Sequence, residues 1–181
     1  AVFATTLSAG TLATTGADGV TAFSTGLPYG VTRLLAGLAF SLGLILVIVG
    51  GAELFTGNNL IIMAWANRKV STRLLLKNWV IVYLGNFAGS LATAVLMFLT
   101  AQYKFGSGAI GLTALSTANA KVGLDFVQAI ALGIMCNALV CLAVWLTFSA
   151  RTTTDRIMAI IPPITAFVAA SFEHSIANMY F

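Results

Sequence analysis

The single histidine of the chain, His174, stands in Phe172-Glu173-His174-Ser175-Ile176-Ala177-Asn178, a polar interruption of an apolar run. A second interruption, Ala52-Glu53-Leu54-Phe55-Thr56-Gly57-Asn58-Asn59, breaks an earlier apolar run, and each has a glutamate followed five residues later by an asparagine. An imidazole can offer a hydrogen bond to a small anion and, titrating near neutrality, can exchange a proton with it. Thr56 and Asn58 are short donors suited to meeting the same anion from the opposite side. Asn137, in the middle of another apolar run, needs a hydrogen-bond partner, and His174 is a candidate. Glu173 faces a different side from His174, where it caps amides, ties the break to a neighbouring helix or acts in transport. On periodicity alone Phe40, Leu44, Val140 and Phe167 fit lipid-facing or core positions as readily as gates.

Composition decides which solvent surrounds these breaks. With 59% hydrophobic and 8% charged residues and a mean hydropathy of +0.98, too few polar side chains exist to cover a water-facing surface. The natural surroundings are a lipid bilayer. The net charge of +4 does not indicate nucleic acid, because the nine Lys and Arg residues lie singly or in one short cluster at the ends of apolar runs, where they read as topology. Cys136 and Cys141 sit in one apolar run, five apart, and indicate neither a disulfide nor a metal site. No metal and no cofactor is expected. The start at Ala1 without methionine and the stop at Phe181 inside an apolar segment lead us to expect a single membrane domain over 1–181, truncated at both ends, with no cleavable leader.

Five apolar segments position the breaks. Residues 1–16 read as the end of a first span and 17–30 as a loop. A second span covers 31–67 and is broken at 52–59; a third covers 78–101, with Gly85-x-x-x-Gly89 suited to packing inside a bundle. Residues 102–125 form an external segment with room for a short helix. The fourth span is 126–150, and the fifth, 157–181, starts near Pro162-Pro163 and is broken at 173–175. Arg68, Lys69, Arg73, Lys77, Arg151 and Arg156 fall inside, and Arg33, Lys104 and Lys121 outside, which is a consistent orientation. Broken helices at matching places in two halves of opposite orientation predict three plus three spans, with a sixth span missing from this chain. Such repeats place a permeation site where the breaks meet, since irregular backbone is tolerated there only when it lines a cavity.

The stretches FSLGLILVIVGGAELFTGNN (40–59), NALVCLAVWLTFS (137–149) and FVAASFEHSIANMY (167–180) resemble the formate/nitrite transporter family, most of all its bacterial formate channels. The resemblance runs over essentially the whole chain. It implies an all-α, aquaporin-like fold of six spans, a homopentamer with one pore per protomer, and a multi-pass place in the bacterial inner membrane. It further implies that Thr56 and His174 face each other in the pore and that Asn137 holds the histidine. Phe40, Leu44, Val140 and Phe167 would form the apolar constrictions, and Leu54, Phe55, Thr56, Gly57, Asn58 and Asn59 a mobile gating loop. Lys121 would attract anions at the external mouth, and Asn178 would lie along the path. Glu53 departs from the aspartate that formate channels often carry, with the carboxylate retained.

What such a pore must overcome is the penalty that apolar constrictions impose on a bare anion. Either positive potential from His174, Lys121 and helix N-termini carries formate through as the anion, or His174 donates a proton and the neutral acid crosses, which is the favoured expectation for import from acidic surroundings. Nitrite or hydrosulfide on the same scaffold is the alternative. A water or glycerol channel would be expected to carry Asn-Pro-Ala in its breaks, and neither break contains proline. An intramembrane serine protease would need a serine within reach of His174, and neither Ser107 nor Ser175 is suitably placed. The expectation is a channel and not an enzyme.

Overall fold

Helix α1 (Tyr29–Gly50) opens the computed structural model, which describes residues 29–181. The expected first span at 1–16, and the loop after it as far as residue 28, lie outside the described residues. At about 1.5 Å per residue, the 22 residues of α1 reach the ~30 Å of a hydrocarbon core. Two short helices follow, α2 (Phe55–Asn58) and α3 (Ile61–Ala66), then the long α4 (Thr72–Leu99). A 3-10 turn (Gln102–Lys104) leads to α5 (Ala109–Val122), α6 (Phe126–Thr147), α7 (Thr153–Ala169) and α8 (Ser175–Asn178). No strand occurs among the described residues.

Local chemistry sets the helix starts and moves several of them from the expected places. Ser71 accepts the Leu74 N–H, so α4 begins six residues before the expected 78 and takes Arg73 and Lys77 into its first turns. Asp125 accepts the Val127 N–H and opens α6. At α7 a capping box joins Thr152 and Asp155, starting the helix at Thr153 rather than 157. The Thr152 and Arg151 amides around the Asp155 carboxylate hold it below its ordinary range. Pro162 and Pro163 consequently lie inside α7, not near its start, and they remove the N–H groups that would reach the Met158 and Ala159 carbonyls. Residues 102–125, the segment expected outside the membrane, hold a 14-residue helix, α5, more than the short one expected.

α7 packs on both α1 and α6. Their shared core contains Ala36, Leu44, Val140, Ala143, Ile160, Ile164 and Phe167. Among the described residues three helices, α1, α4 and α6, are long and apolar enough to cross a membrane, and large apolar side chains such as Leu46, Leu84, Phe98 and Ile134 stay exposed on them. That pattern suits lipid, where exposing an apolar side chain carries no penalty. Gly85 and Gly89 meet no atom within 4 Å of a Cβ position, so the expected close packing at that pair is not made among the described residues.

Gly37 sets the approach of α1 to α7. A methyl group there would stand 2.8 Å from the Thr165 carbonyl oxygen and 2.9 Å from its Cα, closer than backbone allows. Gly37→Leu is expected to separate the two helices and to cost roughly 1–3 kcal/mol, read as a lower unfolding midpoint in detergent. An unchanged midpoint would show that α1 and α7 do not depend on this contact.

Candidate functional site

The two breaks are built alike. α1 ends at Gly51 (φ 73°) and α7 at Ser171 (φ 59°), both left-handed. The next amide in each case reaches back to close the helix end, Ala52 N–H to the Val47 carbonyl at 2.9 Å and Phe172 N–H to the Phe167 carbonyl at 3.0 Å. An extended residue follows, Leu54 (φ −125°, ψ 121°) or His174 (φ −99°, ψ 111°), and then a four-residue helix. The Glu-x4-Asn spacing now has its physical meaning. Asn58 Nδ2 donates to Glu53 Oε2, and Asn178 Nδ2 donates to Glu173 Oε2 at 2.8 Å, so each asparagine closes its own break. Serine in the left-handed region is less favourable than glycine. Ser171 is held there by Arg33, whose Nη2 donates to Ser171 Oγ at 2.9 Å and to the Val168 carbonyl at 2.6 Å, with Tyr29 OH 3.3 Å from the same Oγ.

His174 caps α8. Its Nδ1 accepts the Ala177 N–H at 3.1 Å, and since an amide only donates, Nδ1 is unprotonated. The neutral ring therefore carries its proton on Nε2. That nitrogen lies 3.3 Å from Thr56 Oγ1, so Nε2–H donates to the threonine hydroxyl. Both residues are buried, Thr56 3% and His174 7% exposed. Phe40 and Phe167 meet edge to face at 5.5 Å and stand 6.1 and 5.8 Å from the imidazole, centre to centre. A cleft of about 410 Å³ is lined by Phe40, Leu44, Val140, Phe167 and His174, together with Asn86 of α4. The four residues expected to form constrictions thus line one cleft with the imidazole, and two of them, Phe40 and Phe167, stand beside it.

Other expected residues sit differently. Asn137 does not bond His174; its Nδ2 faces Cys141 Sγ at 3.8 Å, and its Oδ1 is buried without a partner among the described residues. Lys121 forms an ion pair with Glu173 at 2.5 Å, so its charge is engaged with the second break instead of standing free at a mouth. Asn178 completes that same Lys121-Glu173-Asn178 chain. Asn58 spends its amide on Glu53 and on Asn78 Oδ1 at 3.1 Å, not on the space opposite His174. The stretch from Leu54 to Asn59 is fastened on several sides. Phe55 N–H donates to Asn86 Oδ1 at 2.9 Å, Trp79 Nε1 donates to the Asn58 carbonyl at 3.2 Å, and Cys141 Sγ donates to the Thr56 carbonyl at 3.6 Å. Arg33, Trp79, Asn86 and Cys141 were not singled out for these roles from the sequence; the available signal was an asparagine inside an apolar span, which needs a partner. No group of three His, Cys, Asp or Glu residues able to hold a metal occurs among the described residues.

The sequence model of the family described as Formate/nitrite transporter matches residues 1–181. The chain belongs to the formate/nitrite transporter family. Among relatives of this family member, the formate channel FocA of Haemophilus influenzae is 44% identical over 157 residues, covering 87% of this chain and 55% of its own length. FocA of Escherichia coli K12 is 46% identical over 154 residues, covering 85% and 54%. The chain thus spans about half the length of the curated relatives it matches. A solved structure described as a pentameric formate channel with formate bound superposes with a TM-score of 0.82 at 44% identity, covering 99% of this chain and 65% of that one. An FNT family ion channel gives 0.72 at 33% identity, covering 85% and 61%. Family and fold together make this an all-helical, multi-pass membrane protein.

The Lys121–Glu173 pair generates a test. The two side chains are 23% and 17% exposed, so removing one strands a largely buried charge. Lys121→Met alone is expected to cost about 2 kcal/mol after allowance for partial solvation, and Lys121→Met with Glu173→Gln to cost less than Lys121→Met alone. Thermal unfolding of the three proteins measures this; a double variant no more stable than the single one would remove the ion pair as a constraint on the second break.

Proposed function

We propose that the protein is a channel domain for formate across the bacterial inner membrane, working as a homopentamer with one pore per protomer. The observation that carries the reading is the bond between Thr56 and His174, with the imidazole lining the same cleft as Phe40, Leu44, Val140 and Phe167. Two further facts support it: relatives at 44% and 46% identity are formate channels, and a neighbouring fold is a pentameric channel with formate bound. The apolar exteriors of α1, α4 and α6 suit contact with lipid and with further copies. The like-built breaks support an inverted repeat of three plus three spans, with the two halves meeting at the pore.

Permeation then follows from the hydrogen bonds. Phe40, Leu44, Val140 and Phe167 strip water from the anion, at a cost that only directed donors offset. With Nε2–H of His174 given to Thr56 Oγ1, the Thr56 hydroxyl proton is the donor that reaches the anion, and Nε2–H joins it when the anion displaces the threonine oxygen. Proton transfer to formate is a separate step with a structural condition. A neutral Nε2–H donor that gave up its proton would become an imidazolate, so His174 must first be protonated on Nδ1. That places two donors, Nδ1–H and Ala177 N–H, face to face. Passage as formic acid is therefore coupled to opening of the His174–Ala177 bond and movement of the second break, whereas passage as the anion leaves that bond intact. Leu54 to Asn59 serve as a gate that moves only when the bonds from Asn86, Trp79 and Cys141 break, Lys121 and Asn178 tune the second break through Glu173, and Asn137 acts on the first break through Cys141. Nitrite and hydrosulfide are the competing cargoes.

Removing a hydrogen bond to a charged group costs about 1.5–3 kcal/mol. His174→Phe in the full-length protein is accordingly expected to lower stopped-flow formate flux into liposomes roughly 10- to 100-fold, and to abolish its pH dependence. Thr56→Val is expected to lower flux while keeping the pH dependence. Unchanged flux and pH dependence in His174→Phe would end the central role of the histidine, and faster nitrite or hydrosulfide than formate flux in the unaltered protein would replace the cargo.

A further inference from the structure

We propose that Asn86, on α4, is the positioning residue that sets Thr56 opposite His174. Its side-chain amide grips the extended part of the first break at two points: Oδ1 accepts the Phe55 N–H at 2.9 Å, and Nδ2 donates to the Glu53 carbonyl at 3.0 Å. Those groups flank Leu54, and the pattern is the one that a residue of a parallel strand would present to its neighbour. A helix side chain here does the work of a strand.

The need for it follows from comparing the breaks. Each short helix begins with amides that have no partner inside the helix. At the second break His174 is the N-cap and supplies Nδ1 to the Ala177 N–H. At the first break the equivalent N-cap is Leu54, which has no side-chain acceptor, and no cap bond forms from it. Asn86 supplies an acceptor from another helix, to the first amide of the short helix, Phe55, rather than to the third as His174 does. It also fixes the residue directly before Thr56, whose Oγ1 must come within 3.3 Å of the imidazole. On the far side, the Thr56 carbonyl is held by Cys141 Sγ at 3.6 Å, a longer and weaker bond than either bond to Asn86. Trp79 and Tyr83 support the same face of α4 by packing on the Phe55 ring, at 6.5 and 5.2 Å between centres. Loss of the Asn86 grip frees Thr56 and uncovers the Cys141 thiol together.

The effect on transport rests on the formate-channel reading, whereas the effect on Cys141 does not, and the test separates the two. In full-length protein carrying Cys136→Ala, so that the fully buried Cys136 cannot react, Asn86→Leu keeps the side-chain size and removes both bonds. It is expected to speed labelling of Cys141 by a small methanethiosulfonate about tenfold and to lower formate flux and formate-over-chloride selectivity about tenfold. Asn86→Asp, which keeps the acceptor and loses the donor, is expected to fall between. Labelling at the unaltered rate in Asn86→Leu overturns the proposal; if that variant does not assemble, labelling of Asn86→Asp at the unaltered rate overturns it. Faster labelling in a protein whose unaltered form passes no formate supports the Asn86 grip and contradicts the function proposed above.

Discussion

Helices broken at membrane depth expose backbone groups that lipid cannot hydrogen-bond, and each such group left unpaired costs several kcal/mol. The rest of this structure answers that constraint. Both breaks close their helix ends through a left-handed residue, and both fold a glutamate and an asparagine onto one another. The remaining donors and acceptors draw in neighbours. α4 contributes Asn78, Trp79 and Asn86 to the first break, while α5 contributes Lys121 to the second and α1 contributes Arg33. Each break is thus tied to its neighbours at several points, which allows irregular backbone to sit beside a cleft without being loose.

The same constraint explains why His174 is a donor. His174 caps its own short helix through Nδ1, and this capping forces the other ring nitrogen to carry the proton toward Thr56. In the proposed channel one side chain thereby serves folding and permeation, so a change in its protonation is also a change in how α8 is held. Phe40 and Phe167 pack against the ring and leave it little room to turn. The apolar walls make the hydrogen bonds count, because a donor in a dry site interacts far more strongly than one in water.

Much of this was legible in the chain. The two breaks, the apolar spans around them and the meeting of Thr56 with His174 follow from an interrupted hydrophobic pattern and from the family resemblance carried by residues 40–59, 137–149 and 167–180. Helix starts were less legible, since Ser71 and the Thr152–Asp155 box extend helices over polar residues that hydropathy alone assigns to loops. The partners of the site polar groups were the least legible. Asn137 and Asn58 were expected to serve the site directly, yet one faces Cys141 and the other closes its own break. Spacing shows that an asparagine needs a partner; only the packing of α4 and α6 against the first break decides which one it finds.

The second break and the proposed permeation both depend on the state of one imidazole, and the chain contains only one histidine. Solid-state ¹⁵N spectroscopy of histidine-labelled full-length protein in lipid therefore reads His174 without assignment, provided any residues beyond 1–181 hold no histidine or theirs are substituted. At neutral pH the expected result is an unprotonated Nδ1 and a protonated Nε2. A ring protonated on Nδ1 at neutral pH would contradict the cap at Ala177, and with it the donor role of His174 toward Thr56 and the permeating anion.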